Sequence, residues 1–295
     1  MRTIFFLFSL SLLSATTVWG QEYEIRFNRP AKIGQTCLYE GEMSQEQSQK
    51  VDIDGQPKTD KQSKISAKIK GKVEVTAVTK DGSIQGIKIE IVDWQLQSSA
   101  GEIPGPKPGD IVEKNAGETK QFSIKGNALT GPVAEALGQF FSLHTETDKD
   151  MDDLVMGPGK KVKVGDSWPI NSELGAKDLA DKIHSSISPE MIKGQTKLDA
   201  VEGSTQKLSA HIAVDASGMQ MPGAPKGFRA QRFTMEDEVA GDFPVDVEQQ
   251  SSNQSEEMKM DLEGSTTVDA GGKNVTVKLA MSMHLKKTAK SDWKK

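Results

Sequence analysis

The densest group of candidate metal ligands is an acidic segment near the middle of the 295-residue chain. It contains His144, Glu146, Asp148, Asp150, Asp152 and Asp153. Alternating aspartates are typical of the start of a calcium-binding loop. Asp153, however, replaces the glycine that an EF-hand needs at its sharp bend, and Gly159 stands where the closing glutamate belongs. The pattern excludes an EF-hand and leaves two interpretations: a looser Ca²⁺ site, or a solvated acidic linker or helix start, which we favour.

Soft sulfur ligands occur as three Met-x-Met pairs, and a histidine follows the last of them. The pairs are Met219/Met221, Met258/Met260 and Met281/Met283, followed by His284. Both methionines of a pair lie on one face of a strand, and thioethers suit Cu(I). In the last two pairs, however, that face also carries valine and leucine, whereas His284 points the opposite way. We therefore predict that the methionines pack in the core or line an adaptable apolar cavity. No metal site and no cofactor are predicted.

Sequence signatures of catalysis are missing. The chain has no Gly-x-Ser-x-Gly and no His-Glu-x-x-His motif, and its histidines at 144, 184, 211 and 284 are far apart. The segment Gly157–Lys161 lacks the earlier glycine of a phosphate-binding loop, because Leu154 stands there, and Lys161 replaces its Ser or Thr. We predict no catalytic residue and a protein that is not an enzyme. A hydrolase site assembled from distant residues is the alternative.

The N-terminus predicts export. Met1 and Arg2 precede an apolar run from Ile4 to Leu13, and Val18-Trp19-Gly20 fits a signal-peptidase site before Gln21. No later stretch approaches the roughly 20 apolar residues of a membrane helix, so we predict a secreted or periplasmic protein without a membrane-spanning segment.

The net charge and the single cysteine further restrict the classes of partner and of covalent bond that we expect. The net charge of −5 argues against nucleic acid. The single cysteine, Cys37, cannot close an intrachain disulfide, and its position between Thr36 and Leu38 predicts a small buried hydrophobe. A reactive or intermolecular thiol is the alternative.

Alternation of apolar and polar residues dominates the chain after the signal. From Ile65 to Ala77 the odd positions are apolar or small and the even positions are polar, with lysine at 68, 70 and 72, which predicts a long strand with one solvent-exposed face. The pattern recurs from Val275 to Leu285, and the run from Val245 to Leu262 is its predicted partner. Between Ile91 and Val92 the alternation changes phase, which predicts a β-bulge.

Turn sequences separate these runs and predict hairpins, hence an antiparallel sheet. They are Asp54-Gly55, Asp81-Gly82-Ser83, Glu202-Gly203-Ser204, Glu263-Gly264 and Gly271-Gly272. A helical pattern is confined to the middle, where Pro132 begins one segment and Ser172 caps a second.

Short segments recur in the same order in the two halves. Residues 32–37 match 163–168, residues 77–83 match 200–204, residues 104–109 match 222–227, and residues 116–118 match 240–242. This order predicts a duplicated β module. We therefore divide the chain into a signal peptide (1–20), a first β module (21–130), a helical connection (131–189) and a second β module (190–295).

The segment Lys163-Val164-Gly165-Asp166-Ser167-Trp168 predicts a turn, with Gly165 at positive φ and Trp168 buried against a sheet. Together with the signal peptide, the strand Gly117–Ile124 and the turn Gly126–Thr130, it resembles a family of secreted bacterial proteins of unknown function, common in planctomycete-like genomes. The resemblance implies an exported, β-rich fold and assigns no catalytic residue.

The sequence thus predicts a mainly β protein whose long antiparallel strands form a curved sheet, a half-open or closed barrel, with two short helices within residues 132–185. Such a sheet has a continuous apolar face that must be covered. We predict an exported, non-catalytic protein that binds or carries an apolar small molecule or lipid in the cell envelope. The alternative is a structural or protein-interaction component whose own side chains fill the core. The sequence indicates neither the ligand-binding residues nor the oligomeric state.

Overall fold

The computed structural model describes residues 20–115, 121–145, 151–183, 185–219, 227–269 and 271–294. Apart from Gly20, the predicted signal peptide lies outside the described residues.

Within these ranges, thirteen strands form one antiparallel sheet. The first half contains β1 (Thr36–Ile53), β2 (Gln56–Val78), β3 (Ile84–Ser98), β4 (Gly101–Glu102), β5 (Ile111–Asn115), β6 (Ser123–Ile124) and β7 (Asn127–Ala128). The second half contains β8 (Ser167–Pro169), β9 (Ile192–Glu202), β10 (Thr205–Asp215), β11 (Arg229–Pro244), β12 (Asn253–Asp269) and β13 (Asn274–Trp293). Between the halves lie α1 (Gly131–Phe140), α2 (Asp152–Met156) and α3 (Ser172–Ile183), with a 3-10 turn at Pro189–Met191.

The chain traverses the sheet from its centre outwards and back. The order is β7-β6-β5-β3-β2-β1-β13-β12-β11-β10-β9-β8, with β4 paired to β3. The chain therefore runs from the centre to one edge, connects through the helices to the other edge, and returns to the centre. The predicted mainly β, antiparallel fold is confirmed. The closed-barrel alternative is wrong, because the short edge strands β7 and β8 do not pair. The described part of the chain has three helices. The two predicted helices correspond to α1 and α3, and α2 was not predicted.

The strands have one apolar and one charged face. On β2, Ala67, Ile69, Val73 and Val75 are buried, whereas the lysines between them are largely exposed, as predicted. On the outer face, these lysines meet glutamates of the neighbouring strands: Lys64 lies 2.7 Å from Glu46, and Lys68 lies 2.8 Å from Glu42. Exposed pairs of this kind contribute little stability each, so the buried face defines the fold.

Most local predictions on the strands are confirmed. Gly71 pairs with Ile91 and Lys70 with Asp93, which leaves Val92 as the extra residue of the predicted bulge. The turns at Asp54, Asp81, Glu202 and Gly271 all connect hairpins.

Two strand predictions are wrong. Glu263 and Gly264 lie inside β12, paired with Ala280 and Leu279 of β13, and the turn comes later, at Gly271-Gly272. The residues from Val245 to Val247 lie in the connection between β11 and β12, where the Val245 N–H donates to the Ser204 carbonyl, so only residues 253–262 of that predicted run pair with β13.

The matching segments at 32–37 and 163–168 have the same structure. In each, the lysine N–H donates to the side chain three residues later: Lys32 to Gln35 at 3.1 Å, and Lys163 to Asp166 at 2.8 Å. The glycine of each turn has positive φ, as predicted for Gly165, and donates to a strand carbonyl. Lys107–Asp110 is a third turn of this construction. The three turns directly precede β1, β8 and β5, so the same local turn structure starts three strands.

The helices begin close to their predicted positions. Pro132 opens α1, and Val133, Ala136, Leu137 and Phe140 face the core. At α3 the cap lies one residue before the predicted Ser172. The Asn171 side-chain oxygen accepts a hydrogen bond from the Leu174 N–H at 3.1 Å, while the Ser172 hydroxyl donates to the Ile192 carbonyl.

A pair of glycine substitutions tests this packing. A Cβ at Gly264 would come within 2.3 Å of the Phe228 ring and 2.7 Å of the Arg229 carbonyl, whereas a Cβ at the exposed Gly138 of α1 would meet nothing within 4 Å. We expect Gly264→Ala to lower the free energy of unfolding by about 1–3 kcal/mol. Gly138→Ala should raise it by about 0.5–1 kcal/mol. Urea titrations measure both changes, and equal effects would contradict the packing of Phe228 on β12.

Candidate functional site

A cavity of about 770 Å³ lies on the apolar side of the sheet and is lined by residues from both halves. Ile87 of β3 and Ile192 of β9 both reach it. These strands are seven steps apart in the sheet, or roughly 34 Å if it were flat. The sheet must therefore curve around the cavity, as predicted.

The apolar side chains of the wall come from two core clusters, and polar side chains complete the lining. One cluster joins β1, β2, β3 and β5 to α1 and contributes Cys37, Ile87 and Phe140. The other joins β9–β12 to α2 and α3 and contributes Val155, Ile192 and other side chains.

The methionines belong to this apolar surface. Met260 and Met281 pack against the second cluster, and Met258 lines the cavity. Met219 is buried in the same cluster, whereas its partner Met221 lies outside the described residues. These positions agree with the predicted role in core packing.

One end of the cavity is closed by the N-terminal strap, which we define as residues 21–35. Tyr23 exchanges backbone hydrogen bonds with Val162 at one side of the molecule, and the Ala31 N–H donates to the Gly82 carbonyl at the other. Phe27, Asn28 and Arg29 of the strap line the cavity.

Arg29 fixes the strap to the loop that follows β11. Its side chain is 4% exposed. Its Nη1 donates to the carbonyls of Pro244, Asp246 and Gln249 at 2.8–3.2 Å, and its Nε donates to the Arg26 carbonyl. Burial lowers the pKa of this guanidinium to about 10, which leaves it charged at neutral pH. A buried cation thus organises four backbone acceptors at the closed end.

The cavity wall also carries a polar corner, which we define as Asp237, Glu256 and Lys287. These residues lie on β11, β12 and β13 and line the apolar cavity. Glu256 and Lys287 are opposite each other in the β12–β13 register, and their charged atoms are 2.5 Å apart. Lys287 therefore already has a carboxylate partner.

Asp237 is the unusual member of the polar corner. Its Oδ1 is buried and has no hydrogen-bond partner. Desolvation, reinforced by the negative charge of Glu256, raises its pKa from 3.8 to about 6, even though Lys287 acts in the opposite direction. Leaving a buried acceptor unsatisfied costs about 1–3 kcal/mol. The fold therefore holds a destabilising carboxyl against an apolar cavity.

The acidic segment singled out from the sequence is only partly described. Glu146, Asp148 and Asp150 lie outside the described residues. Asp153 has a structural role, because its carboxylate accepts hydrogen bonds from the Phe27 and Asn28 N–H groups of the strap. Asp152 lines the cavity. In the part of the chain that the structure describes, no group of three or more His, Cys, Asp or Glu side chains could hold a metal ion.

The described histidines do not come together. The backbone N–H of His144 donates to the Ile84 carbonyl beside the cavity. His211 is exposed on β10, and His284 lies on the outer face, where its Nε2 is 2.9 Å from Glu257 Oε1. His184 lies outside the described residues.

Cys37 is 1% exposed, and burial raises the pKa of its thiol to about 12. It is therefore the buried side chain that was predicted from the sequence.

Sequence reasoning did not single out Arg29 or the polar corner. The available signal was on β11, where Phe233, Met235, Asp237 and Val239 alternate on the inner face, so that Asp237 interrupts an apolar series. That interruption can be recognised only when it is known which residues of the strand point inwards.

Among the described helices, none combines the length and apolar character needed to cross a membrane.

Replacing Arg29 tests the strap. Arg29→Met keeps a long apolar side chain but leaves four carbonyls without their donor, so we expect a loss of about 2–4 kcal/mol in the free energy of unfolding. Arg26→Met is the matched control, since Arg26 makes only a 3.7 Å ion pair with the exposed Glu248. The control should stay within about 1 kcal/mol of wild type in urea unfolding. An equal loss in both variants would contradict the assigned role.

Asp237→Asn tests the strain at the polar corner. Because the folded state raises the pKa of Asp237, ionisation of this carboxyl destabilises the fold at high pH and has no effect below about pH 4, where both states are protonated. Relative to wild type, the variant should gain about 1–2 kcal/mol between pH 4 and pH 8, less than two pKa units would give because the group is partly open to solvent. Urea unfolding at several pH values measures this gain. Glu238→Gln, at the exposed neighbouring position, is the matched control.

Comparisons with known proteins give little. No protein-family model and no curated protein matches the chain. Among solved structures, the chain is similar to one titled "Lipid-protein interactions in lipovitellin", with 7% identity and a TM-score of 0.34. The match covers 85% of this chain and 25% of that one, so this chain spans about a quarter of its length.

Proposed function

We propose that this protein is an exported, non-catalytic carrier that holds an apolar small molecule or lipid in the cavity between the sheet and the helices. The observation that carries the proposal is the cavity of about 770 Å³, whose wall combines apolar side chains from two core clusters with polar groups. Sites for small molecules commonly enclose about 300–1,000 Å³ and combine apolar walls with a few polar groups.

The cavity also favours a carrier over the alternative of a structural component. A protein whose own side chains fill its core has few voids larger than a water molecule. Here Ile87, Phe140 and Ile192 line one cavity from three different elements. Methionines such as Met258 on that wall suit ligands of variable shape, because their side chains are flexible and polarizable.

Export and the envelope location rest on residues 1–20. The basic start, the short apolar run and the small residue before Gln21 together support a cleaved signal. The measured mass of the purified protein tests this directly, since removal of residues 1–20 fixes the N-terminus at Gln21.

Native mass spectrometry of the protein from its own envelope fraction is the decisive experiment. We expect a stoichiometric adduct that organic solvent extracts and that is identified as a lipid or another apolar compound. A bare mass, together with no uptake of added apolar compounds, would favour the structural or interaction alternative. Release of a chemically changed compound on incubation would favour the hydrolase.

Filling the cavity gives an independent test. Val239 lines the cavity, whereas Val92 is 47% exposed at the bulge of β3. We expect Val239→Trp to abolish the adduct and to reduce binding of an apolar fluorescent dye at least tenfold, with Val92→Trp unchanged as the matched control. Met258→Trp fills the same space from β12 and guards against a folding defect in the first variant. Unchanged dye binding in both folded cavity variants would place the ligand elsewhere.

A further inference from the structure

The polar corner has the features of a head-group site. Asp237 interrupts the apolar inner face of β11, and its Oδ1 lacks a hydrogen-bond donor. Buried unsatisfied polar atoms are rare in native proteins, and each calls for an explanation. A ligand that brings a donor would supply one here.

The charge at the corner indicates which kind of head group fits. Lys287 pairs with Glu256 at 2.5 Å, and Asp237, whose Oδ1 has no hydrogen-bond partner, lines the same cavity. Asp152 lines the same space from α2 and, like Glu256, adds negative charge near Asp237. With the two carboxylates of Asp237 and Glu256 against one lysine, the corner favours a cation that donates several hydrogen bonds.

The other buried cation lies too far away to compensate. Arg29 packs over the Phe243 ring, 5.5 Å from its centroid. Phe243 and Asp237 are six residues apart on β11, which corresponds to roughly 20 Å along an extended strand. Arg29 also donates to four carbonyls of the strap and its neighbouring loop. It therefore belongs to the closed end of the cavity.

We propose that the cavity binds amphiphiles whose head group is a primary ammonium, with Asp237 as the main acceptor, Glu256 as the second, and the aliphatic tail along the apolar walls. The inference rests on the proposed carrier function and specifies its ligand class. A primary ammonium carries three N–H donors and a full positive charge, which matches two neighbouring carboxylates. A simple long-chain amine and an aminophospholipid share this head-group chemistry.

A panel of twelve-carbon ligands tests the head group. We would measure displacement of an apolar dye from the full-length protein at pH 7.5 by dodecylamine, dodecanol and dodecanoate, each below its micellar concentration. Dodecylamine should bind at least tenfold more tightly than the other two. Lyso-phosphatidylethanolamine and lyso-phosphatidylcholine then separate the two sources of the ammonium, because the choline head has no N–H. Preference for the ethanolamine lipid would support an aminophospholipid, and preference for dodecylamine alone would support a simple amine.

Variants assign the effect to the corner. Asp237→Asn should weaken dodecylamine binding at least tenfold and leave dodecanol binding unchanged. The exposed Glu238, on the outer face of the same strand, provides the control: Glu238→Gln removes the same charge and should leave both ligands unaffected. Both substitutions change the net charge of the protein equally. The control therefore distinguishes a direct contact between Asp237 and the ammonium from general attraction of the amine to an acidic protein.

The pH dependence of binding gives a second readout. The groups that face Asp237 or share the cavity are Glu256, Lys287, Asp152, Asp178, Arg29 and His144, with His211 on the adjacent strand. Since the pKa of Asp237 is about 6, dodecylamine binding should weaken as the pH falls below 6, and this step should be missing in Asp237→Asn.

The outcomes separate the two proposals. If dodecanol and dodecanoate bind within threefold of dodecylamine, or if Asp237→Asn binds dodecylamine as wild type does, the head-group inference is overturned while the carrier function stands. If none of the amphiphiles displaces the dye and the purified protein carries no adduct, the carrier function itself fails.

Discussion

The apolar face of the thirteen-stranded sheet is the constraint on which the architecture depends. An open sheet with one apolar face must cover that face, and the strand order decides how. The chain leaves the sheet at β7 and re-enters at β8, on the opposite edge. The connection therefore brings α1, α2 and α3 to the apolar side. These helices contain 10, 5 and 12 residues, too few to cover a face built from strands of up to 23 residues. The cavity follows from this mismatch between a long curved sheet and a short cover.

The N-terminal strap lies at one end of the cavity and is held by both polar and apolar contacts. Tyr23, Ile25 and Phe27 of the strap pack on a core cluster, and backbone hydrogen bonds and Arg29 fix the course of the strap. Buried charges are expensive unless they are fully hydrogen-bonded, and Arg29 is close to that condition, with Nη2 as its remaining unpaired nitrogen. The strap also receives the Asp153 carboxylate from α2, so the helical layer and the N-terminus fix one another. Polar contacts and apolar packing thus both hold the strap against the rest of the protein.

A structural feature could be predicted from the sequence where neighbouring residues cause it. The alternation of β2, the bulge at Val92 and the positive φ of Gly165 follow from neighbouring residues, and all were predicted. The prediction of a turn at Gly264 was wrong because the role of this glycine is tertiary: the Phe228 ring lies where a side chain would be. Asp237 was missed for a related reason. A register shift between Ala230 and Arg232 changes which residues of β11 point inwards. Whether Asp237 points inwards therefore depends on a bulge that has no clear sequence signature. The strap and the cavity depend on contacts between residues more than 100 positions apart.

The position of the polar corner bears on how such a cavity could select a ligand. Apolar walls discriminate weakly, since one methylene more or less changes binding by only about 1–3 kcal/mol. A buried polar group discriminates much more strongly, because a ligand that lacks the matching donor leaves it unsatisfied. Asp237 already bears that cost in the empty protein, as its raised pKa and unpartnered Oδ1 indicate. A matching ligand would relieve the cost on binding, whereas an unmatched hydrophobe of the same volume would leave it in place. For the proposed ligands, the destabilising carboxyl and the methionine side chains would complement each other, because the wall would accept tails of different shapes and the corner would restrict the head group.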